Sequence, residues 1–196
     1  MGKPKGKRQL QKEATRENIL ETAMRVYAEQ GFSVPVGVIA EEAGLAHGSV
    51  FLHFPAKEDL LNSTLERFFR ELGEKMHCLA EADNDLETLL RGFLAIAADH
   101  EAFYKRLVLE THTLPPDMKK MLVSLRSANA HHFEMAAKRG IRQGRIKKLP
   151  LHLMFNTWMG LVYYYLQNSE WFAPGQSVIK RYKDELVSFY MSLITK

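Results

Sequence analysis

Residues 39–54 read IAEEAGLAHGSVFLHF and carry the clearest structural signal in the chain. Ile39 and Ala43 lie four residues apart, so they share one face of a first helix. Gly44 can adopt the positive φ angle that ends a helix within one residue. The closing letters VFLHF place a valine and a phenylalanine four residues apart, which gives a second helix its own apolar stripe. The stretch therefore predicts a helix-turn-helix, although an ordinary helical corner has the same spacing.

The flanking segments extend this pattern in both directions. Residues 15–32 open with TRENIL, place Ile, Ala, Val and Tyr on one helical face, and close with Gly-Phe. Residues 54–61, FPAKEDLL, begin a long helix after the motif. The joint order resembles the DNA-binding domain of TetR-type (tetracycline-repressor-like) regulators, and the resemblance covers about residues 15–61. It implies a three-helix DNA-binding domain, followed by a helical bundle that binds an effector and forms dimers.

The remaining sequence favours helices throughout. No segment alternates apolar and polar residues with period two, so we expect an all-α protein. We expect a flexible basic arm over residues 1–14, the helix-turn-helix domain over 15–56, and the effector-binding and dimerisation domain over 57–196. The predicted helices span 15–30, 35–42, 46–53, 57–80, 85–98, 101–112, 116–143, 150–169 and 177–195.

The amino-acid composition indicates the cellular compartment of the protein and the size of its hydrophobic core. With 46% hydrophobic residues among 196, the chain has enough apolar material for a sizeable core. Its lone cysteine, Cys78, fits a reducing cytoplasm. No apolar segment follows the basic N-terminus as in a secretory signal, and the apolar stretch 151–166 is too short to span a bilayer. The sequence therefore predicts a cytoplasmic protein without membrane contact.

The charges are unevenly distributed along the chain. The formal net charge is +4. Residues 1–16 carry six basic groups and one acidic group, whereas residues 61–118 carry six basic and eleven acidic groups. Residues 119–148 carry nine basic groups against one glutamate. The first block fits an arm that follows phosphates or enters a minor groove, and equally a solubilising tail. The third block we interpret as a solvated face.

The resemblance implies that the second helix of the motif lies in the major groove of B-DNA. His47 and Ser49 would face base edges, and the backbone would approach the DNA closely at Gly48. His53 matches a histidine that contacts phosphate in the family, and Lys57 begins the next helix near another phosphate. The N-terminus of the first helix would add phosphate contacts. The implied DNA-binding residues are Thr15, Arg16, His47, Gly48, Ser49, Phe51, His53 and Lys57.

The chain departs from the family pattern at three places. Phe51 replaces a tyrosine whose hydroxyl often contacts a phosphate, so this residue packs or contacts DNA through its ring alone. Ala46 stands where a Ser or Thr usually caps the recognition helix, and loss of such a cap costs about 1 kcal/mol. Val34-Pro35 likewise replaces a usual capping threonine.

A single recognition helix covers few base pairs, so specific regulators usually bind palindromic half-sites as two-fold dimers. The resemblance implies a homodimer that pairs through residues 150–169 and 177–195. Both segments carry more apolar surface than one core needs, although one larger intramolecular core would use the same residues. The apolar positions are Leu151, Phe155, Trp158, Met159, Val162, Tyr163, Leu166, Val178, Ile179, Tyr182, Leu186, Phe189, Tyr190 and Leu193.

Aromatic and flexible side chains are frequent in the middle helices, as in pockets for drug-sized apolar ligands. The same composition describes an ordinary core. The resemblance implies a small-molecule effector whose binding releases DNA, which would make the protein a repressor. A carboxylate such as Glu110 would favour a cationic ligand. The candidate ligand-binding residues are Phe93, His100, Phe103, Tyr104, Glu110, Met121, Phe133, Phe155, Trp158 and Met159.

Catalytic signals are weak. The Glu74-x-x-His77 pair matches half of a bundle di-metal site, but the sequence has no second Glu-x-x-His. It also lacks a glycine-rich phosphate loop and a serine elbow. We therefore expect no enzyme activity, no cofactor and no metal. The alternative function is a helix-turn-helix DNA-binding protein without an effector, either structural or controlled by a partner.

Overall fold

The computed structural model describes residues 6–82 and 84–196, and within them the chain is helical. A 3₁₀ turn covers Thr111–Thr113, and the only β-type pairing of these residues is an isolated bridge between Ile146 and Thr195. The all-α prediction is confirmed. The helices are α1 Lys7–Gln30, α2 Val36–Glu42, α3 His47–Phe51, α4 Lys57–Glu81, α5 Leu86–Asp99, α6 Glu101–Leu109, α7 Pro116–Arg142, α8 Leu151–Gln167, α9 Ser169–Phe172 and α10 Val178–Ile194.

The chain divides into two compact units. Unit 1 ends at Arg67, and unit 2 runs from Phe68 to Lys196. The division falls later than the domain boundary expected at residue 56, because α4 contributes its first turns to unit 1. There Leu60 and Leu65 are fully buried.

The first helix begins at Lys7, eight residues before the predicted start. Residues 7–14, KRQLQKEA, contain strong helix formers, and Gln9 Nε2 donates a 2.9 Å hydrogen bond to Glu13 Oε1 one turn later. The expected flexible arm is therefore helical from Lys7 onward. Residues 1–5 of that arm lie outside the described residues.

Unit 1 has a small core around the helix-turn-helix. Ile19, Val26 and Tyr27 on one face of α1 pack with Ile39 of α2 and Val50 of α3, and all five are fully buried. These residues recur at the three- and four-residue spacing of an amphipathic helix, which is why the sequence located the core of this unit.

Unit 2 is a bundle of the later helices around an aromatic core. The Trp158 and Tyr190 rings are tilted by 57° with centroids 5.2 Å apart, and the Tyr190 hydroxyl donates a 2.7 Å hydrogen bond to the Met154 carbonyl. The first turn of α10 is capped by a carboxylate, because Glu101 accepts hydrogen bonds from the Val178 and Ile179 amides at 2.8 and 3.2 Å. The bundle is therefore held by both apolar contacts and capped helix ends.

The later helix limits agree with the predicted ones to within a few residues, with two exceptions. The helix predicted over 101–112 ends at Leu109 and continues only as a 3₁₀ turn, and the short α9 was not predicted. Within the described part of the chain, no helix combines the length and apolarity needed to cross a membrane.

Candidate functional site

The turn between α2 and α3 closes with a double hydrogen bond around a left-handed glycine. Gly44 has a φ of 68°. Its amide donates to the Glu41 carbonyl at 3.0 Å, and the Leu45 amide donates to the Ala40 carbonyl at 2.9 Å. This is a Schellman arrangement, which needs a residue that tolerates positive φ at its centre. Asn18 of α1 fixes the turn from outside, donating a 3.1 Å hydrogen bond to the Ala43 carbonyl.

The start of α3 is exposed on the surface of unit 1. His47 and Gly48 are exposed, and Ser49 is half-buried. A Cβ atom built on Gly48 meets no atom within 4 Å, so the backbone there is open to a close approach from outside. The arrangement leaves these three predicted contact residues on one exposed turn of helix.

Phe51 packs against the exposed histidine of α3. Its ring lies edge-on to the His47 ring with centroids 5.0 Å apart, and Phe51 is half-buried. The phenylalanine therefore orients the histidine instead of offering a hydroxyl to solvent. The next residue, Leu52, is 80% exposed and extends the apolar surface at the end of α3.

Neither short helix has a side-chain cap, as the sequence departures predict. Pro35 precedes α2 and Ala46 precedes α3, and neither side chain caps its helix. The Ser49 amide instead donates to the Ala46 carbonyl at 2.8 Å. The first turn of α3 is thus stabilised by backbone bonds and by packing on α2.

Thr15 and Arg16 lie well inside α1, so the prediction that they form a helix N-terminus is wrong. Because the helix begins at Lys7, the backbone amides at these residues belong to the interior of a helix and cannot serve as an anion site. The Thr15 hydroxyl donates to the Gln11 carbonyl at 2.9 Å. The Arg16 guanidinium lies over the Phe54 ring, 4.9 Å from its centroid, and is exposed.

The helical extension of α1 lines an open groove together with the end of α3. Three cations, Lys7, Arg8 and Lys12, stand on one side, and Leu52 and His53 on the other. The sequence showed these cations only as a charge run, because their proximity to α3 depends on the early start of α1. The groove is the basic part of a unit that is otherwise rich in acidic residues.

His53 is held close to the cations of α1. Its Nδ1 atom is buried and has no hydrogen-bond partner among the described residues. Burial, assisted by Lys12 and Arg16, lowers its pKa below the ordinary value of 6.5. A buried unpaired nitrogen is less costly without a proton, so we infer that the neutral ring carries its hydrogen on Nε2. That nitrogen is then a hydrogen-bond donor, as a phosphate contact requires.

Lys57 connects the start of α4 to the loop that follows α1. Its Nζ atom donates a 2.5 Å hydrogen bond to the Ser33 carbonyl. The ammonium keeps two further hydrogens that can be donated, and the residue is half-buried. The structure therefore gives this lysine an anchoring role that the sequence did not reveal.

In unit 2, half of the candidate ligand-binding residues line one small apolar void of about 10 Å³. This volume admits one water molecule at most. Met76, Leu89, Leu90 and Asn129 also line it, and sequence reasoning had not selected them. The candidate residues at the void are Phe93, Phe133, Phe155, Trp158 and Met159.

The other five candidates do not line this void. Phe103 and Tyr104 are buried core residues of α6, and Met121 is exposed on α7. Glu110, just past the end of α6, pairs with Arg106 at 3.1 Å, so its carboxylate already has a cationic partner within the chain. His100 stands 3.9 Å from a carboxylate oxygen of Glu71.

A larger space of about 220 Å³ lies elsewhere in unit 2, between the ends of α5, α7 and α10. Its lining mixes charges of both signs, including Asp85, Glu87, Arg139 and Arg145. Arg145 approaches Asp85 at 3.6 Å across it. None of the ligand-binding residues expected from the sequence lines this space.

Most of the apolar residues assigned to a dimer interface are instead buried within unit 2. Trp158, Val162, Leu166, Leu186 and Tyr190 all belong to its core. A different face of the same two helices is exposed, because each helix carries apolar residues on two sides. The exposed residues there are Leu153, Gly160, Tyr164, Phe189 and Leu193.

Known proteins share both the local motif and the whole fold. The profile of bacterial regulatory proteins of the tetR family matches residues 19–64. The HTH-type transcriptional regulator AcrR of Shigella flexneri is 34% identical over 82 residues, which are 41% of this chain and only 38% of AcrR. The HTH-type transcriptional repressor KstR2 of Rhodococcus jostii is 23% identical over 195 residues, covering 93% of this chain and 90% of KstR2.

A solved structure extends the likeness to the complete fold. The transcriptional regulator FadR from Bacillus subtilis, in complex with stearoyl-CoA, superposes with a TM-score of 0.70. The match has 19% identity and covers 90% of this chain and 97% of that one. The motif, the helical bundle and these relatives agree with the predicted resemblance, and residues 19–64 form a DNA-binding domain of the tetR family of bacterial regulatory proteins.

Proposed function

We propose that the protein is a cytoplasmic, sequence-specific DNA-binding regulator that acts as a repressor and leaves a palindromic operator when a small, largely apolar effector binds. The observation that carries the proposal is the exposed turn of α3 beside the basic groove of α1. His47, Gly48 and Ser49 can approach base edges, while Lys7 and Lys12 neutralise phosphates. Repression is supported by KstR2, a repressor that matches over nearly the whole chain.

The exposed apolar face of α8 and α10 supports the proposal of two-fold pairing. Tyr164 is 54% exposed and Phe189 57% exposed, and Gly160 leaves open space for a partner helix. Such a face is costly in water unless another surface covers it. The proposed homodimer through residues 150–169 and 177–195 would present two α3 helices to half-sites about one turn of DNA apart.

The oligomeric state is tested by sedimentation at micromolar concentration. The wild-type chain and a Val123→Glu control should sediment as dimers, because Val123 is an exposed residue of α7 outside this face. Phe189→Glu should sediment as a monomer, since a buried carboxylate would be unpaired in the interface. A wild-type monomer would contradict the proposed dimer.

DNA recognition is tested by selection from a random duplex pool. The purified protein should enrich one palindromic sequence, and a promoter that contains it should be silenced in a reporter assay and derepressed by an effector. Equal weak retention of all sequences would contradict specific recognition. Activation of the reporter by the protein would retain DNA binding and reject repression.

The second candidate function is DNA binding without a small-molecule effector. The specific observation that favours it is the small size of the apolar void, which is closed to anything larger than water. A thermal-shift screen separates the two functions, because a ligand that binds the native state raises its midpoint of unfolding. A stabilising compound that also releases DNA supports the effector, and a screen of apolar compounds without any stabilisation favours the alternative.

A further inference from the structure

Arg126 is a cation inside unit 2 without a carboxylate partner among the described residues. It lies on α7, is half-buried, and its guanidinium sits over the Tyr163 ring at 5.4 Å from the centroid. Its Nε atom is shut off from solvent and finds no hydrogen-bond acceptor in the described chain. A buried charged donor without an acceptor is unfavourable, so this position is suited to an acceptor from outside the chain.

A second arginine of unit 2, Arg106, differs from Arg126 in its charge partner. Arg106 is also half-buried, and Glu110, just past the end of α6, lies 3.1 Å from its Nη1 atom. The Nε atoms of both arginines are enclosed without an acceptor in the described chain, so the difference between them is the carboxylate supplied to Arg106. Among the described residues, the partner of the Arg126 charge is the face of the Tyr163 ring, which attracts a cation but accepts no conventional hydrogen bond.

Arg126 adjoins the apolar void along α7. Residues 126, 129 and 133 follow the three- and four-residue spacing that aligns side chains on one helical face. Asn129 and Phe133 line the void, so Arg126 stands about one helical turn, ~5.4 Å, beyond it. Arg126 thus lies on the same face of α7 as two residues that line the void.

Aromatic contacts reach the same place from α6 and α8. Tyr104 is fully enclosed, and its ring lies 6.2 Å from that of Tyr163 and 6.4 Å from that of Phe93, which lines the void. Burial, followed by the interaction with the Tyr163 hydroxyl, raises the pKa of Tyr104 well above its usual value. The Tyr104 hydroxyl is therefore a neutral hydrogen-bonding group near the charge of Arg126.

We propose that the effector of this regulator is an apolar monocarboxylate, with its carboxylate bound by Arg126 and Tyr163 and its hydrocarbon part in the enlarged void. This inference rests on the proposed function. The Nε and Nη edge of a guanidinium matches two carboxylate oxygens, and the buried Nε places that edge toward the interior. Met76 and Met159 line the void and can change rotamer to admit the chain of the ligand.

The opening of the void gives the ligand its effect. An apolar ligand has to push apart the side chains that line the void, Phe133 and Trp158 among them, and thus favours an expanded arrangement of unit 2. A ligand releases DNA only if it binds the DNA-incompetent arrangement more tightly than the competent one. A charged head without an apolar chain would bind at Arg126 and leave the void closed.

The first experiment compares ligands that differ only in the head group. Straight-chain alkanoates from hexanoate to dodecanoate, kept below micelle formation, are measured beside the matching alcohols and alkyltrimethylammonium ions. Alkanoates of one chain length should raise the unfolding temperature and release selected DNA, with alcohols at least about tenfold weaker. The proposal would be overturned if the alcohol or the ammonium ion raised the unfolding temperature and released DNA as well as the alkanoate or better.

The second experiment uses variants of α7. Arg126→Gln should weaken alkanoate binding by about tenfold or more and leave DNA affinity unchanged. Arg126→Lys should bind alkanoate with an affinity between those of the wild type and Arg126→Gln. Arg142→Gln is the matched control, because Arg142 is exposed on the same helix, and it should bind alkanoate like the wild type. Should Arg126→Gln not fold, Tyr163→Phe provides the same test, with a smaller loss of affinity.

The outcomes separate this inference from the proposed function. Wild-type protein that binds no specific DNA in the absence of ligand would contradict the proposed function itself. If the wild-type protein binds a palindrome but binds none of the alkanoates, only the carboxylate inference is contradicted. Wild-type alkanoate affinity in a folded Arg126→Gln variant would show that the arginine does not hold the head group.

Discussion

Replacing Gly48 by alanine tests the position of α3 on DNA without damage to the fold. Gly48 has no left-handed φ, and a Cβ atom there meets nothing within 4 Å. Alanine is more favourable than glycine inside a helix by roughly 0.5–1 kcal/mol, so unit 1 should be as stable or slightly more stable. The free protein should therefore show an unchanged or slightly raised unfolding temperature.

The affinity of the variant for DNA should fall, although its stability is kept or raised. If the backbone of α3 approaches base edges at Gly48, the added methyl group occupies space that the DNA fills. Overpacking of this kind typically costs about 1–3 kcal/mol, which is about fivefold or more in Kd for each half-site. Because a dimer meets two half-sites, the expected loss on a palindrome is about 25-fold or more.

The assay is fluorescence anisotropy with a selected operator, run beside thermal unfolding of the free protein. Gly73→Ala is the matched control, because Gly73 lies in α4 and a Cβ there makes an ordinary 3.6 Å contact with Leu125. The control gains similar helix propensity and should bind DNA like the wild type. A Gly48→Ala variant with raised stability and wild-type affinity would show that α3 does not approach the duplex at this residue.

Three further predictions follow from individual side chains. Lys57→Ala should weaken binding to all DNA sequences, and the slope of log affinity against log salt concentration should fall by about one for each lost phosphate contact. An unchanged slope would show that Lys57 makes no phosphate contact and serves only as the donor to the Ser33 carbonyl. Tyr27→Phe should keep the free energy of unfolding or raise it by up to ~1 kcal/mol, because the buried Tyr27 hydroxyl has no partner in the described chain; a loss above that in urea unfolding would refute this. Burial lowers the pKa of His53 and His132 below 6.5, so the unfolded chain takes up protons first and stability should fall as pH drops below that value. A His132→Gln variant should show a shallower fall in urea midpoint, and an identical pH profile would contradict the role of His132.

Local patterns were sufficient for the helices and for the recognition motif. The break at Gly44 was predictable because only a residue that tolerates positive φ can close a helix so tightly, and Gly44 has that conformation. The apolar face of α1 was predictable because its buried residues recur with the helical period. The early start of α1 at Lys7 was missed because a charged run fits a helix and a solvated arm equally well.

The partners of charged and apolar groups followed from contacts between residues far apart in the chain or on different helices. Sequence spacing did not indicate that Lys57 would donate to the Ser33 carbonyl, or that Arg126 would lie over the ring of Tyr163. In α8 and α10 the apolar residues surround most of each helix, so composition left open which of them form the core and which face outward. Periodicity is a property of neighbouring residues, whereas burial and charge pairing depend on which helices meet. The amino-acid order is therefore sufficient to locate the helix-turn-helix, and the packing of the bundle is needed to single out Arg126.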